Sequence, residues 1–349
     1  MQLRSGDGEA APASHDQLTA LCEDFPQFRF WREDACGRVR YIARSQRPGQ
    51  HPHTVVTASV DELRAALGDT PAQPHATGGQ PPDPRPPLFD PGVAHPARVY
   101  NVWIGGKDAY AADRAAAAQV AARRPQVVAG ARANRAFLAR VVRYLSGPRG
   151  IRQFVDIGPG LPAPLATHEV AQAIAPESKI VYVDNDPLVL AHARALLTSR
   201  PPGACDYLDA DLREPGKILA AAAQILDFTQ PAAVILVAVL HFVPDADDPP
   251  GIVTALAEAL APGSFVAISH LTADFAPGQV AAGVAAYNVS VPAGITARSH
   301  AQVTALFGEL PLVAPGVVPV TEWRPDFGAR PGPPADMYAG LATIPGRPR

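Results

Sequence analysis

Lysine, cysteine and methionine are all scarce in this chain of 349 residues, which contains 3 cysteines and 2 methionines. Lys107, Lys179 and Lys217 are the only lysines, so arginine supplies nearly all of the 30 basic side chains. The net charge of -3 at pH 7 gives no broad positive surface of the kind that nucleic-acid-binding proteins present to phosphates. We therefore expect no nucleic-acid partner.

Metal-binding cysteines and long apolar runs are also missing. Cys22, Cys36 and Cys205 are an odd number of cysteines at spacings that match no metal-ligand motif, so we expect reduced thiols and no metal site. The N-terminal sequence M-Q-L-R-S-G-D-G-E-A-A-P has no apolar signal core, and no run reaches the length of a transmembrane helix. We therefore expect a cytoplasmic protein without a membrane partner.

The composition, 47% hydrophobic and 18% charged, suffices for one full-sized core and a smaller module. Changes along the chain predict a disordered tail over residues 1–14, a small α+β module over 15–68, a proline-rich linker over 69–87 and an α/β domain over 88–349. Within the module, the sequence predicts helices near 16–24 and 59–67 and strands at 28–31, 39–43 and 54–58. Phe25, Trp31 and Tyr41 are its predicted core, and no function can be inferred for it.

A short apolar strand followed by a glycine turn is the most informative motif, with the sequence Q-F-V-D-I-G-P-G-L-P-A at 153–163. Gly158, Gly160 and Ala163 fit the loose dinucleotide-binding pattern G-x-G-x-x-G/A. Asp156, two residues before the first glycine, is instead typical of the D-x-G-x-G loop that holds S-adenosylmethionine. The motif predicts a nucleotide-containing cofactor and favours S-adenosylmethionine over a dinucleotide.

Acidic residues follow the next two predicted strands. Asp184 ends the strand in K-I-V-Y-V-D-N-D, 24 residues after Gly160, where folds of this class place a carboxylate against ribose hydroxyls. Asp186 precedes Pro187 and fits the N-cap of the following helix. Asp211, after the third strand, is our candidate for the adenine amino group, with a solvated strand-end acid as the alternative.

The most apolar run, A-A-V-I-L-V-A-V-L-H at 232–241, is too short to span a membrane and predicts a central parallel strand. His241 at its end, and His270 at the end of the next strand, are candidate general bases because histidine titrates near neutral pH. For His241, a histidine that is only hydrogen-bonded at a strand end is the alternative. The apolar segment 272–298, which includes Tyr287, predicts a lid over a small-molecule acceptor.

Several motifs from residue 87 onward resemble, in order, the S-adenosyl methyltransferase family of actinobacteria. They include A-R-V-Y-N-V-W-I-G-G-K-D at 97–108, G-I-R-Q-F-V-D-I-G-P-G-L-P at 150–162, V-Y-V-D-N-D-P at 181–187, L-H-F-V-P-D at 240–245 and P-G-V-V-P-V-T-E-W-R-P at 315–325. The resemblance implies a Rossmann-like, doubly wound class I methyltransferase fold with S-adenosyl-L-methionine as cofactor and a small-molecule acceptor. Within these motifs, the residues expected to bind the cofactor are Asp156, Gly158, Gly160, Asp184, Asn185, Asp211 and Leu212.

The segment 98–110 has two interpretations. Gly105, Gly106 and Lys107 resemble part of a phosphate loop, but Asp108 stands where that loop has serine or threonine, which argues against a nucleoside-triphosphate site. One interpretation is a helix C-cap at the glycines. The resemblance favours the other, in which cofactor contacts come from Arg98, Tyr100, Gly106 and Lys107.

The sequence departs from the family pattern at Pro159 and Ala163, where the family usually has threonine, and at Asn101. These departures keep a non-catalytic cofactor-binding or scaffold protein as an alternative function. A nicotinamide-dependent oxidoreductase is the second alternative, since it shares the glycine turn and the ribose carboxylate.

Overall fold

The computed structural model describes residues 18, 21–22, 24–25, 28–35, 38–45, 54–57, 60–68, 90–190, 202–326, 328 and 335–346. The chain divides into two compact units, Met1–Pro84 and Arg85–Arg349. The division falls inside the proline-rich stretch 69–87. The expected tail over 1–14 and this linker lie outside the described residues.

The smaller unit is a three-stranded antiparallel sheet followed by a helix. Its strands are β1 (Phe28–Ala35), β2 (Arg38–Ser45) and β3 (Thr54–Thr57), in the spatial order β1-β2-β3, and the helix is α1 (Val60–Gly68). Its apolar core contains Leu21, Phe28, Tyr41, Ala43, Val60, Leu63 and Leu67. Tyr41 therefore has its expected place, whereas the side chain of Trp31 lies outside the described part.

The larger unit is built on a seven-stranded sheet. Its strands are β4 (Gln153–Ile157), β5 (Lys179–Asp184), β6 (Ala204–Asp209), β7 (Ala233–Val237), β8 (Phe265–Leu271), β9 (Val318–Pro319) and β10 (Met337–Thr343). The spatial order is β6-β5-β4-β7-β8-β10-β9; β10 pairs antiparallel with both β8 and β9, and the pairings among the other strands are parallel. Strand β4 is the point at which the order reverses direction.

The larger unit also contains helices, most of which pack against this sheet. They are α2 (Pro96–Trp103), α3 (Ala111–Arg123), α4 (Val127–Ser146), α5 (Thr167–Ile174), α6 (Pro215–Ala222), α7 (Pro249–Glu258), α8 (Pro277–Ser290) and α9 (His300–Ala305). Alternate strand residues enter two separate apolar clusters, one containing Val155 and Val181 and the other Phe154 and Ile180. Because successive strand side chains point to opposite faces, both faces of the sheet are covered. The predicted doubly wound α/β class is confirmed.

Some elements of the fold differ from the sequence-based prediction. The central strand ends at Val237, four residues before the expected end, because Ala238 adopts a left-handed backbone with φ 57°. His241 consequently lies in a 3₁₀ turn, Leu240–Phe242, and not at the end of the strand. The C-terminal strands β9 and β10 were not predicted at all.

The described residues contain neither a membrane-spanning helix nor a cluster of metal ligands. None of the helices in those ranges is long and apolar enough to cross a bilayer. No group of three or more histidine, cysteine, aspartate or glutamate side chains in the same ranges is arranged to hold a metal ion.

Candidate active site

A cleft of about 220 Å³ opens where the carboxyl ends of β4, β5 and β7 meet. In open α/β sheets, ligands bind at this reversal point because the loops leaving the neighbouring strands diverge there. The cleft is lined by most of the expected cofactor residues, namely Tyr100, Asp156, Gly158, Gly160, Asp184, Asn185, Asp211 and Leu212. The fold therefore brings together, at one cleft, residues that lie far apart in the sequence.

The glycine turn after β4 forms one side of the cleft. Gly158 has φ 71° and Gly160 has φ 67°, a left-handed backbone that glycine adopts without steric cost. A Cβ atom on Gly158 would lie 2.5 Å from Val239 Cγ2, so this position also requires the absence of a side chain. The N–H of Gly158 donates to Val183 O at 2.8 Å, which fixes the turn against β5.

Asp184 connects the end of β5 to this turn. Its Oδ2 accepts the N–H of Gly160 at 3.2 Å, and its Oδ1 accepts the N–H of Asp186 at 3.0 Å. Burial raises the pKa of the Asp184 carboxyl above its ordinary value. A carboxylate has about four lone-pair sites, so two acceptor sites remain for a ligand in the cleft.

Asp186 acts as the helix cap that the sequence predicted. Its Oδ1 accepts the N–H of Leu188 at 2.9 Å at the start of the helical turn that begins with Pro187. His95 Nδ1 lies 2.9 Å and Arg98 Nε 3.7 Å from the other carboxylate oxygen. Burial alone disfavours the charged form, but His95 and Arg98 hold the pKa of Asp186 below its ordinary value. Both carboxylate oxygens of Asp186 therefore have partners within the protein, whereas Asp184 lines the cleft.

Asp156, the last but one residue of β4, is buried beneath the glycine turn. Its Oδ2 accepts the hydroxyl of Thr167, the first residue of α5, at 2.6 Å. Burial raises the pKa of Asp156 to about 6, against the opposing effects of the Thr167 hydrogen bond and the Arg135 charge. The carboxyl therefore lines the cleft and also ties β4 to the start of α5.

Asp211 and its neighbours form the opposite rim. Arg213 donates to Asp211 through Nη2 at 2.6 Å and through Nε at 2.9 Å, and it reaches Asp247 at 3.5 Å. The Arg213 guanidinium holds the pKa of Asp211 below its ordinary range, and Asn185 adds a further hydrogen bond. The buried Leu212 lies between these two polar residues and lines the cleft.

A series of buried hydrogen bonds lies behind the cleft, and the sequence analysis did not predict it. Tyr100 donates to Ala131 O at 2.8 Å and accepts from Asn134 Nδ2 at 3.1 Å. Asn134 Oδ1 in turn accepts the Ser269 hydroxyl at 2.6 Å, and Ser269 Oγ accepts the N–H of Ala238 at 3.0 Å. These hydrogen bonds thereby support the left-handed residue Ala238 at the cleft wall.

The segment after α2 shows the helix C-cap geometry and not a phosphate loop. The N–H of Gly105 donates to Val102 O at 3.1 Å, and that of Gly106 donates to Asn101 O at 2.8 Å. Neither Gly106 nor Lys107 lines the cleft, and the Lys107 side chain is exposed. Arg98 is buried between Asp186 and Asp113, at 3.7 and 3.6 Å, and does not line the cleft either. The structure therefore gives no support for the predicted cofactor contacts of Arg98, Gly106 and Lys107.

His270 lies outside the cleft and is fully buried. Its Nε2 lies 2.7 Å from Arg298 Nη1 and its Nδ1 lies 2.7 Å from Leu271 O. A guanidinium only donates, so Nε2 accepts and Nδ1 carries the proton that bonds to the carbonyl. Burial lowers the pKa of His270 to about 4. Both ring nitrogens are occupied, so His270 joins two segments and is no longer a candidate base.

His241 is buried beside the cleft, with its ring centroid 4.4 Å from that of Phe242 and 5.7 Å from that of His270. Burial, and then the His270, Arg298 and Arg124 charges, hold the pKa of His241 well below 6.5. The imidazole is therefore neutral at neutral pH and can accept a proton or a hydrogen bond.

Comparison with known proteins identifies the family. The model of the S-adenosyl methyltransferase family matches residues 83–345, which is most of the chain. The chain belongs to this family. The resemblance seen in the sequence motifs is confirmed, and the protein is a methyltransferase that depends on S-adenosylmethionine.

Solved structures agree with this assignment. A DUF574 family protein from Streptomyces avermitilis MA-4680 is 42% identical, with a TM-score of 0.69 over 72% of this chain and 98% of its own. A candidate methyltransferase from Thermobifida fusca YX is 38% identical, with a TM-score of 0.69 over 75% of this chain and 99% of its own. No match was found among curated proteins.

The cleft of this methyltransferase fits its cofactor. Asp184 has acceptor capacity of the kind that ribose hydroxyls require, and Leu212 and Val239 add apolar surface of the kind that suits a purine ring. Pro159 lacks an N–H donor, but the N–H groups on either side of it are used within the protein, so the turn forms without one.

The family match is the evidence against the alternative of a nicotinamide-dependent oxidoreductase. Thr167, Ser269 and Arg298 were missed from the sequence because their partners lie 11, 135 and 28 residues away.

Proposed function

We propose that the methyltransferase holds S-adenosylmethionine in the cleft at the end of β4 and β5 and methylates a small-molecule acceptor. The observation that carries this proposal is the position of Asp184, whose carboxylate reaches the glycine turn at Gly160 and retains acceptor capacity toward the cleft. Asp184 would accept from the ribose hydroxyls, and Asp211 from the adenine amino group beside Leu212. Gly158 and Gly160 let the backbone approach the ligand closely.

When bound, S-adenosylmethionine supplies an electrophilic methyl group on a positively charged sulfur. The chain's own contribution is to hold the two reactants in line and to exclude water. Val239 and Phe242, after β7, provide an apolar wall, and Tyr100 faces the same wall with its hydroxyl fixed by Ala131 and Asn134.

A small molecule is the proposed acceptor because the net charge of -3 offers no attraction for nucleic acid. The late segment supports the same view. Residues 277–290 form the helix α8, and Ala293, just after it, lines the cleft. This placement agrees with the lid that the sequence predicted over an acceptor.

Isothermal titration with S-adenosylhomocysteine tests the cofactor site. Asp184→Ala removes the proposed ribose ligand and is expected to weaken binding at least tenfold, since hydrogen bonds to a charged group contribute about 1.5–3 kcal/mol. Asp209→Ala is the matched control, because Asp209 is the register partner of Asp184 on β6 but is exposed and does not line the cleft. Its affinity should stay within about twofold of the wild type.

Equal loss of affinity in both variants, or none in either, would contradict the assignment of Asp184. Tight binding of NAD together with no binding of S-adenosylhomocysteine by the wild-type chain would overturn the cofactor site as a whole.

A further inference from the structure

A second cavity, of about 70 Å³, lies beside the cofactor cleft. Four residues line both cavities, namely Pro96, Tyr100, Ala238 and Phe242. A ligand in the second cavity therefore lies next to the cleft. Helices α2, α3, α4 and α8 supply most of the remaining lining, which is largely apolar and includes Trp103, Val120, Val127, Val284 and Tyr287.

Two of the side chains that line this cavity each have a buried polar atom without a partner. Within the part of the chain that the structure describes, neither His241 Nδ1 nor Tyr287 Oη has a hydrogen-bond partner. Both side chains are at least nine-tenths buried, with 9% of His241 and 2% of Tyr287 exposed. Leaving such groups unsatisfied is costly, which favours a ligand that pairs with them.

The charge of the cavity selects a neutral ligand. Arg124 lines it, but its Nε and Nη2 lie 2.9 and 2.8 Å from Asp336 Oδ2, so the guanidinium charge is balanced within the protein. His241 is itself neutral at neutral pH because burial lowers its pKa. A charged ligand would lose its hydration here without gaining an opposite charge.

The aromatic walls select a flat ligand. The ring of Tyr287 lies 6.4 Å from that of Trp103 and 6.3 Å from that of Phe242, both in tilted arrangements. Rings prefer offset or edge contacts at such separations, so a further ring packs well among them. A hydroxyl both donates and accepts, which suits Tyr287 Oη and either tautomer of His241.

We propose that the second cavity is the methyl-acceptor site and that it takes a small, neutral aromatic compound with a hydroxyl group, which bonds to His241 Nδ1 and Tyr287 Oη. The proposal rests on the proposed function. In the transfer, the hydroxyl oxygen forms a bond to the methyl carbon, and the methyl–sulfur bond breaks with its electron pair passing to sulfur. With His241 in the tautomer that carries its proton on Nε2, the hydroxyl proton passes to Nδ1, so the products are a neutral ether, a neutral thioether and an imidazolium at His241.

Binding of phenol to the full chain saturated with S-adenosylhomocysteine tests this site, with toluene as the probe that lacks the hydroxyl. Tyr287→Phe keeps the ring and removes the hydroxyl, so phenol affinity should fall about tenfold while toluene affinity stays the same. Val284→Phe fills the cavity and should abolish binding of both probes. Tyr144→Phe, which makes the same chemical change against Trp323 and away from both cavities, should change neither.

Unchanged phenol affinity in Tyr287→Phe and in Val284→Phe would overturn the proposal, as would the absence of phenol binding to a wild-type chain that binds S-adenosylhomocysteine. The last result differs from a failure of the proposed function, in which S-adenosylhomocysteine itself does not bind. With S-adenosylmethionine supplied instead, mass spectrometry should detect anisole from the wild type and none from Val284→Phe. Bound phenol without any anisole would refute the acceptor role.

Discussion

Gly158 and Gly160 share a left-handed backbone but have different surroundings. A Cβ atom on Gly158 would lie 2.5 Å from Val239, whereas one on Gly160 would lie no closer than 3.8 Å to Ala97. The first position therefore combines conformational strain with a steric conflict, and the second has strain alone. This difference makes the pair a natural comparison.

We expect Gly158→Ala to lower the free energy of unfolding by about 3 kcal/mol or more, because strain and overpacking each cost about 1–3 kcal/mol. Gly160→Ala should cost only about 1–2 kcal/mol. Urea unfolding of the two variants measures the difference. Equal losses would show that Val239 moves aside freely and that the close approach at Gly158 is unimportant.

The buried carboxyl of Asp156 should make stability depend on pH. Its pKa is raised from 3.8 to about 6 in the folded chain, so folding favours the protonated form. The resulting stabilisation is complete below the unfolded pKa and is lost as the pH rises through the folded pKa. Asp156→Asn cannot titrate, so its stability relative to the wild type should rise between pH 4 and pH 7 by up to about 3 kcal/mol.

Urea unfolding of wild type and Asp156→Asn at several pH values measures this difference. Asp209→Asn, which changes an exposed strand-end carboxyl, is the control. A wild-type-to-variant difference that is flat from pH 4 to pH 7 would show that Asp156 is not held protonated by folding.

At the scale of elements, a buried ion pair ties the end of α3 to the start of β10. Arg124 Nε donates to Asp336 Oδ2 at 2.9 Å, and both side chains are buried. Removing one partner of a buried pair leaves an uncompensated charge, which costs about 3–5 kcal/mol. The pair therefore connects β10 to α3, a helix that lines the second cavity.

Asp336→Asn should lower the free energy of unfolding by about 3 kcal/mol, since the amide keeps the shape but not the charge. Asp326→Asn is the control, because Asp326 pairs with Arg143 at 3.1 Å in an exposed position, and such pairs contribute about 0–1 kcal/mol. Chemical denaturation of both variants compares the two pairs, and similar losses would contradict the structural role of Asp336.

Elements with strong local patterns were predictable from the sequence. The apolar runs before Asp156 and Asp184 predicted β4 and β5, and Asp186 before Pro187 predicted the helix cap. These features were predictable because neighbouring residues determine them. Strand β10 was missed since its small residues and Gly340 form no strong apolar run. A Cβ atom on Gly340 would lie 3.0 Å from Phe307, a packing constraint that only the folded structure reveals.

The site was predictable to a similar degree. Asp184 and the glycine turn follow from strand and turn patterns, but the partner of each group depends on long-range packing. Arg98 was expected at the cofactor and lies instead between two carboxylates. The hydrogen bonds that connect Tyr100 to Ala238 join four separate segments of the sequence. No spacing between residues could therefore predict them.

At the scale of the whole molecule, the family model begins at residue 83 and the larger compact unit at Arg85. All of the cleft residues belong to that unit. We therefore predict that a chain of residues 85–349 folds and binds S-adenosylhomocysteine within about threefold of the full-length affinity. Circular dichroism and calorimetric titration check this, and loss of binding by a folded truncated chain would show that residues 1–84 contribute to the cofactor site.

The most direct test of the cofactor site is a crystal structure of the full chain with S-adenosylhomocysteine. We predict that the ribose hydroxyls lie within hydrogen-bond distance of Asp184, with the sulfur facing the wall that Ala238 and Phe242 share with the second cavity. Ligand density outside the cleft, or a ribose that makes no contact with Asp184, would contradict this account.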